Sequence, residues 1–279
     1  MNKTIDNATL DYRQYLLDEE KSAATVKKYV HDTETFLKWC GERKLTKSLV
    51  LLYKKELSGK HSPTGVNSVL SSLNSYFSFK GKHNLKTKML KIQKQIFARK
   101  ERELSKDEYI RLLETAKNKN NRRLYLLMQT VCSTGIRISE LKFITVEAVV
   151  KQEAQINCKG KMRIVILPER LCKILKEYIK ERKISSGSIF VTKSGRPLDR
   201  SNIFHEMKKL CDEAKVDKRK VFPHNLRHLF ARTYYSVQKD IVRLADILGH
   251  SSINTTRIYT MESGEIHRAQ IQKLGLLRC

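Results

Sequence analysis

The sequence predicts a predominantly α-helical protein of two domains, the second of which holds one small antiparallel sheet. Three observations lead there. The chain has 279 residues, more than one hydrophobic core ordinarily needs. Most of it places apolar residues at helical spacing, punctuated by capping residues. A single stretch, "AQINCKGKMRIVIL", reads as two strands joined by a turn.

A weak helical pattern covers 10–17. After Ser22, whose hydroxyl suits an N-cap, Val26, Tyr29, Val30, Thr33, Phe36, Leu37 and Cys40 follow a stripe that Gly41 closes. Thr46 opens the next helix, with Leu49, Val50, Tyr53 and Leu57 on one face, ending at Ser58-Gly59. In "HSPTGVNSVLSSLNSYFSFKG", Ser62 caps a helix and Pro63 takes its first turn, where the missing N–H costs nothing. Val66, Val69, Leu70, Leu73 and Phe77 make its buried face. These helices define an all-helical first domain, residues 1–90.

A basic stretch begins near Asn84, with Glu101 its only acid, and its end, 91–102, reads as the linker. A charge run is usually just a solvated face; at a composition boundary it also suits a connection lying along phosphates. Ser105-Lys106-Asp107-Glu108 forms a capping box that opens the second domain, 103–279. Helical patterns over 106–116 and 123–133 lead to Gly135. "AQINC" and "RIVIL" then form a hairpin across "KGKM", and a helix over 171–182 precedes "SIFVT", expected as a third strand. From Arg200 the pattern is helical almost to the end.

Lysine and arginine outnumber aspartate and glutamate by 56 to 29, a net +27, which points to a polyanionic partner. A basic ribosomal or membrane-surface protein would share these totals. Cys40, Cys132, Cys158, Cys172, Cys211 and Cys279 form no C-x-x-C pair and read as reduced thiols. No run approaches the roughly 20 apolar residues of a membrane span, and the start "MNKTIDNATLDYRQ" lacks the apolar core of a secretory signal. A cytoplasmic protein is expected.

Three stretches carry candidate chemistry: "TGIRISEL" (134–141), "HNLRH" (224–228) and "LGHSSINTTRIY" (248–259). Taken singly each has a plain structural reading. Arg137 pairs with Glu140 at i,i+3 on a helix surface. His224 and His228 have the spacing of zinc ligands, yet lack the glutamate of H-E-x-x-H and any neighbouring cysteine, so no metal site is assigned. Tyr259 could be an ordinary half-buried aromatic. The small polar residues between His250 and Tyr259 suggest instead a wet, mobile segment that presents the tyrosine to a partner.

Together and in this order, "GIRxSEL", "HxLRH" and "LGHxxxxTTxxY" closely resemble the tyrosine recombinases of the phage integrase and Xer type, over 103–279. The first domain is similar in architecture to that family's core-binding, SAM-like domain. The resemblance implies a C-shaped clamp on double-stranded DNA with inverted-repeat core sites, a homo-tetramer on two sites, and strand exchange through a covalent 3′-phosphotyrosine without cofactor, metal or ATP. Arg137 and Arg227 would neutralise the phosphate through forked hydrogen bonds. A tyrosine hydroxyl titrates near 10 and is a poor nucleophile at neutral pH; a positive field would favour its phenolate. Tyr259 is then the nucleophile, His224 the acid/base, and His250 a phosphate donor that orients the site.

The family's general acid is a hairpin lysine in "GKG". Here the match is "CKGK", which assigns Lys159, with Lys161 as the alternative. Glu140 would hold a basic partner, and His228 is either supporting or simply packed. The tail after Tyr259, capped at Ser263, reads as a short helix that docks on a neighbouring protomer or on its own domain. A type IB topoisomerase and a catalytically inactive DNA-binding relative are the rival readings. The chain begins almost at the core-binding helices, which favours a Xer-like layout over one with an arm-binding domain.

Overall fold

The computed structural model describes residues 2–92, 100–158, 161–192, 194–259 and 272–274. The chain divides into two compact units, Met1–Lys94 and Gln95–Cys279.

The first unit is built from α1 (Asn2–Asp18), α2 (Ala23–Cys40), α3 (Lys47–Lys60) and α4 (Pro63–Phe79). Ser22, Thr46 and Ser62 accept backbone N–H groups at the starts of α2, α3 and α4, and Gly41 ends α2 at φ 58°. α1 reaches back well beyond the 10–17 pattern, since a nucleated helix extends at little cost through residues that need not be buried. The core is aromatic: Phe36 meets Phe77 edge-on at 5.9 Å, and Tyr12 meets Tyr76 at 5.2 Å. Tyr12 donates to the Ser72 carbonyl, and burial pushes its pKa up to about 12.

Beyond α4 the chain is strapped back onto that helix. Asn74 exchanges two hydrogen bonds of 2.9 Å with the backbone of Thr87, and Asn67 does the same with Leu90 at 2.7 and 2.9 Å. Two amide side chains on one helical face thus supply donors and acceptors that a sheet would otherwise provide.

The second unit opens with α5 (Lys106–Asn118), whose Ser105/Glu108 capping box is complete, and α6 (Arg122–Thr134). A 3₁₀ turn (Ile138–Phe143) leads to α7 (Val146–Lys151) and the hairpin β1 (Glu153–Cys158) and β2 (Lys161–Ile166). There follow α8 (Glu169–Glu181), α9 (Arg200–Lys208), α10 (Pro223–Gln238), α11 (Ile241–Leu248) and α12 (Ile253–Thr256), which runs into a 3₁₀ turn (Arg257–Tyr259). α6 packs on α10 at the centre of the core, and Tyr259 joins Ala231, Leu244 and Leu248 in a smaller apolar cluster.

The hairpin is antiparallel, with Ala154 opposite Val165, Ile156 opposite Arg163 and Cys158 opposite Lys161. Lys161 and Met162 belong to β2, so the connection is shorter than the expected "KGKM" turn. Ala154, Ile156 and Val165 face the core, while Met162, Ile164 and Ile166 are exposed. The expected third strand at "SIFVT" does not form, and among the described residues the sheet has two strands. Ile189 and Phe190 are buried, and this segment pairs instead along 144–146: Ile189 N–H donates to Ile144 and Val146 N–H to Gly187, each at 3.0 Å. Its apolar content serves core packing, and the Thr192–Arg196 turn cuts the run short.

Candidate active site

Phe222 and Pro223 start α10, and the next turns present His224, Arg227 and His228. Arg227 is 1% exposed, yet its charge is well compensated. Nη1 donates to the carbonyl of Gly135, just past α6, and Nη2 donates at 2.8 Å to Leu248, the last residue of α11. Both carbonyls lie at helix C-termini, where backbone acceptors are unpaired and a cation is favoured. Gly135 suits this terminus: its φ is 66°, and a Cβ there would lie 2.4 Å from the Phe230 ring.

Nη2 of Arg227 also meets Nε2 of His250 at 3.0 Å. A guanidinium can only donate, so Nε2 accepts and the neutral ring carries its proton on Nδ1, 2.8 Å from the Thr256 hydroxyl. Burial, and then the charges of Arg227, Arg137, Arg163 and His224, lower the His250 pKa to about 4. As placed, His250 accepts from Arg227 and orients it.

The burial of Tyr259 differs from the wet, mobile presentation that its polar spacer suggests. Tyr259 is 4% exposed, a member of an apolar cluster with Ala231, Leu244 and Leu248 against which Phe230, Tyr234 and Tyr235 pack, and not presented to solvent. The polar spacer is wet except at Thr256, which turns inward to His250, so the two buried side chains of the segment are the two that face the histidines. The His228 ring stands edge-on to Tyr259 at 4.8 Å, and the His250 ring stacks on it at 6.1 Å. Burial, followed by the charge of Arg137, lowers the Arg227 pKa to about 10, and Tyr259 opposes that shift through charge and a hydrogen bond.

Arg137 and Glu140 pair at i,i+3 as the plain reading held, on a 3₁₀ turn and not on an α-helix. Glu140 is 2% exposed. One oxygen accepts Arg137 Nη1 at 2.9 Å; the other accepts the Arg137 N–H at 2.8 Å and Arg163 Nη2 at 2.7 Å. Burial would raise this carboxyl, but these donors outweigh it and hold the pKa below the usual carboxylate range. Arg137 keeps its side chain 42% exposed.

Arg137, Ser139, Arg200, His224 and Arg227 line one cavity of about 160 Å³. Arg137 also borders a wider one of about 700 Å³ with Met162, Arg163, Gly249 and His250. His224 is exposed at its outer edge while its ring packs on His228 at 4.5 Å. Partial burial, then Arg227, Arg137 and Arg200, lower its pKa. Among the described residues no third His, Cys, Asp or Glu joins this histidine pair in a group that could hold a metal.

Arg137, His224, Arg227, His250 and Tyr259 are thus brought together. Lys159 lies outside the described residues, as does the tail except for 272–274; Lys161 opens β2, and its side chain is not described. Sequence reasoning missed Arg163, Arg200 and Thr256. For Arg163 a signal existed: it shares the alternation of Val165 and Leu167, an inward position at which an arginine needs a partner.

A model of the phage integrase family matches residues 102–265, and one of the phage integrase N-terminal SAM-like domain matches 10–84. Tyrosine recombinase XerA of Thermococcus onnurineus is 29% identical, with 99% of this chain and 98% of the relative covered. The crystal structure of XerA recombinase aligns at a TM-score of 0.53 and 25% identity over 98% of this chain and 100% of the other. The lambda integrase tetramer bound to a Holliday junction shares the fold, at a TM-score of 0.71 and 16% identity over 91% and 76%. Since the longer family match spans most of the second unit, from the start of α5 past Tyr259, the chain belongs to the phage integrase family of tyrosine recombinases.

Proposed function

We propose that the chain is a site-specific DNA recombinase that cuts duplex DNA through Tyr259 and rejoins the ends in a new pairing. A scissile phosphodiester enters the cavity that Arg137, His224 and Arg227 share. The Tyr259 oxygen attacks phosphorus, the bond to the 5′-oxygen breaks, and a 3′-phosphotyrosine remains; attack by another strand's 5′-hydroxyl reverses the step. The energy of the phosphodiester is kept in the covalent intermediate.

Charge builds on the non-bridging oxygens in the transition state, and the two guanidiniums offer preorganised donors to it. Arg137 supplies the exposed cation and Arg227 the buried one. His224 takes the tyrosine proton, a role that suits a ring kept neutral by its surroundings. The departing 5′-oxygen takes its proton from Lys159, or from Lys161 two residues on. His250 holds Arg227 in register.

The observation that carries this reading is the placement of the Tyr259 ring against His228 and against His250, whose Nε2 accepts from the Arg227 guanidinium. The net charge of +27 supports DNA as the partner, and the cytoplasm is the compartment proposed. The assembly proposed is a homo-tetramer on two inverted-repeat sites, and the fold shared with a lambda integrase tetramer bound to a Holliday junction supports the tetramer. A labelled, nicked duplex whose cleaved fragment diffuses away tests the proposal. The wild-type chain should become joined to the label in a denaturant-resistant adduct, and Arg137→Ala should not. Tight, specific binding with no adduct would instead make the chain a DNA-binding relative without catalysis.

A further inference from the structure

β2 places Arg163 opposite Ile156, on the face of the hairpin that Ala154, Ile156 and Val165 bury. A cation at an inward position has to be compensated, and Arg163, its side chain 15% exposed, is compensated at both ends of its fork. Nη2 donates to Glu140 at 2.7 Å and Nη1 to the Ile247 carbonyl at 2.6 Å. Its stem runs against Gly249, where a Cβ would lie 2.5 Å from Cδ and 2.7 Å from Nε. Gly249 is therefore required on two counts, a φ of 63° and the passage of this arginine.

We infer that Arg163 is a positioning residue of the phosphate site, a strut that sets the turn carrying Arg137 against the turn carrying His250. The inference rests on the proposed roles of those two residues. Through Glu140 the strut fixes Arg137, because the carboxylate cannot swing while both guanidiniums hold it. Through Ile247 it fixes the end of α11, whose next carbonyl, that of Leu248, is held by Arg227. Successive carbonyls just ahead of His250 are thus tied to two arginines from different elements.

Charge leads to the same place. Glu140 paired with Arg137 alone would spend most of the charge that Arg137 needs for phosphate. Two guanidiniums about one carboxylate leave a net positive group, so the exposed side of Arg137 still faces the cavity as a cation.

Arg163→Met and Arg163→Lys test the strut through cleavage at saturating DNA, DNA affinity, and binding of inorganic phosphate followed through the guanidinium Nε–H resonances. A displacement of about 1 Å in a reacting group can cost about 10²-fold, so Arg163→Met should cleave about 10²-fold more slowly with affinity changed only a few-fold. Arg163→Lys should recover little, because an ammonium is a point donor that cannot bridge Glu140 and Ile247 together. Gly249→Ala should also slow cleavage, and adding it to Arg163→Ala should cost less than the product of the single effects, since the Cδ and Nε atoms that a Cβ at 249 would meet are gone. Wild-type cleavage by Arg163→Met, or full rescue by Arg163→Lys, would overturn the inference. If the wild-type chain itself forms no adduct, the reading of Tyr259 falls, and phosphate binding alone decides about the strut. Phosphate binding weakened by about tenfold in Arg163→Met supports it, on the scale set by supporting residues elsewhere, and an unchanged affinity overturns it.

Discussion

Arg227 gathers the three chemistry-bearing stretches of the sequence, by contacts to Gly135, Leu248 and His250. Its removal therefore has two separable consequences. Arg227→Ala leaves helix-terminal carbonyls without their charged donor, and a hydrogen bond to a charged group is worth about 1.5–3 kcal/mol, so chemical denaturation should register a loss of that order. Cleavage should fall by about 10²–10³, the usual effect of losing one oxyanion donor. His228 has a different place. Burial, then His224, Arg232 and Arg227, lower its pKa to about 3, and its Nε2 has no hydrogen-bond partner among the described residues. A histidine in the unfolded chain titrates near 6.5. As pH falls, the unfolded state binds the proton first, so the stability owed to neutral His228 and His250 is whole above about pH 6.5 and is lost progressively down to the folded values. The melting temperature should decline over that range, and His228→Phe should make the decline shallower; equal slopes for the two proteins would contradict this.

The helices were legible because their ends are marked: Ser22, Thr46, Ser62, Ser105 and Gly135 all occupy the caps their chemistry predicts. "SIFVT" misled because β-branched and aromatic residues describe a buried run whether or not it pairs in a sheet, and Ile189 and Phe190 are needed by the core. The polar spacer misled for a related reason: composition reports the exposed majority of 251–258 and is silent on Thr256 and Tyr259 turning inward. The alternation of β2 marks Arg163 as inward, but its partners Glu140 and Ile247 lie 23 and 84 residues away in the sequence, and no local pattern names them. Gly135 offers a test at the α6 terminus. Gly135→Ala must strain a φ of 66° and push the Phe230 ring aside, so a loss of roughly 1–3 kcal/mol is expected by denaturation. At α4, replacing Asn67 and Asn74 together by alanine should speed hydrogen exchange at the Thr87 and Leu90 amides while leaving the α4 amides protected. Unchanged exchange at those two amides would remove the strap.

The charge excess belongs to the chain as a whole, and it points to a polyanion, which the motifs narrow to DNA. If binding proceeds by neutralising phosphates, affinity must fall steeply with salt, by about 10³-fold or more between roughly 50 and 200 mM for six or more contacts. A flat salt dependence would place the charge elsewhere. Family membership was readable because three short motifs occur in order, each legible from a handful of residues; the proposed general acid is tested by chemistry, since Lys159 and Lys161 stand two residues apart in one basic stretch. Replacing the bridging 5′-oxygen by sulfur, which leaves without a proton, should rescue Lys159→Ala and not Arg137→Ala. The chemistry proposed for this fold stands or falls on one bond. Digestion of the protein joined to a nicked duplex, followed by mass mapping of the DNA-bearing peptide, should locate the label on Tyr259, and Tyr259→Phe should bind the duplex with near wild-type affinity and form no adduct. A DNA-bearing peptide without Tyr259, or an adduct that persists in Tyr259→Phe, would show that another residue is the nucleophile.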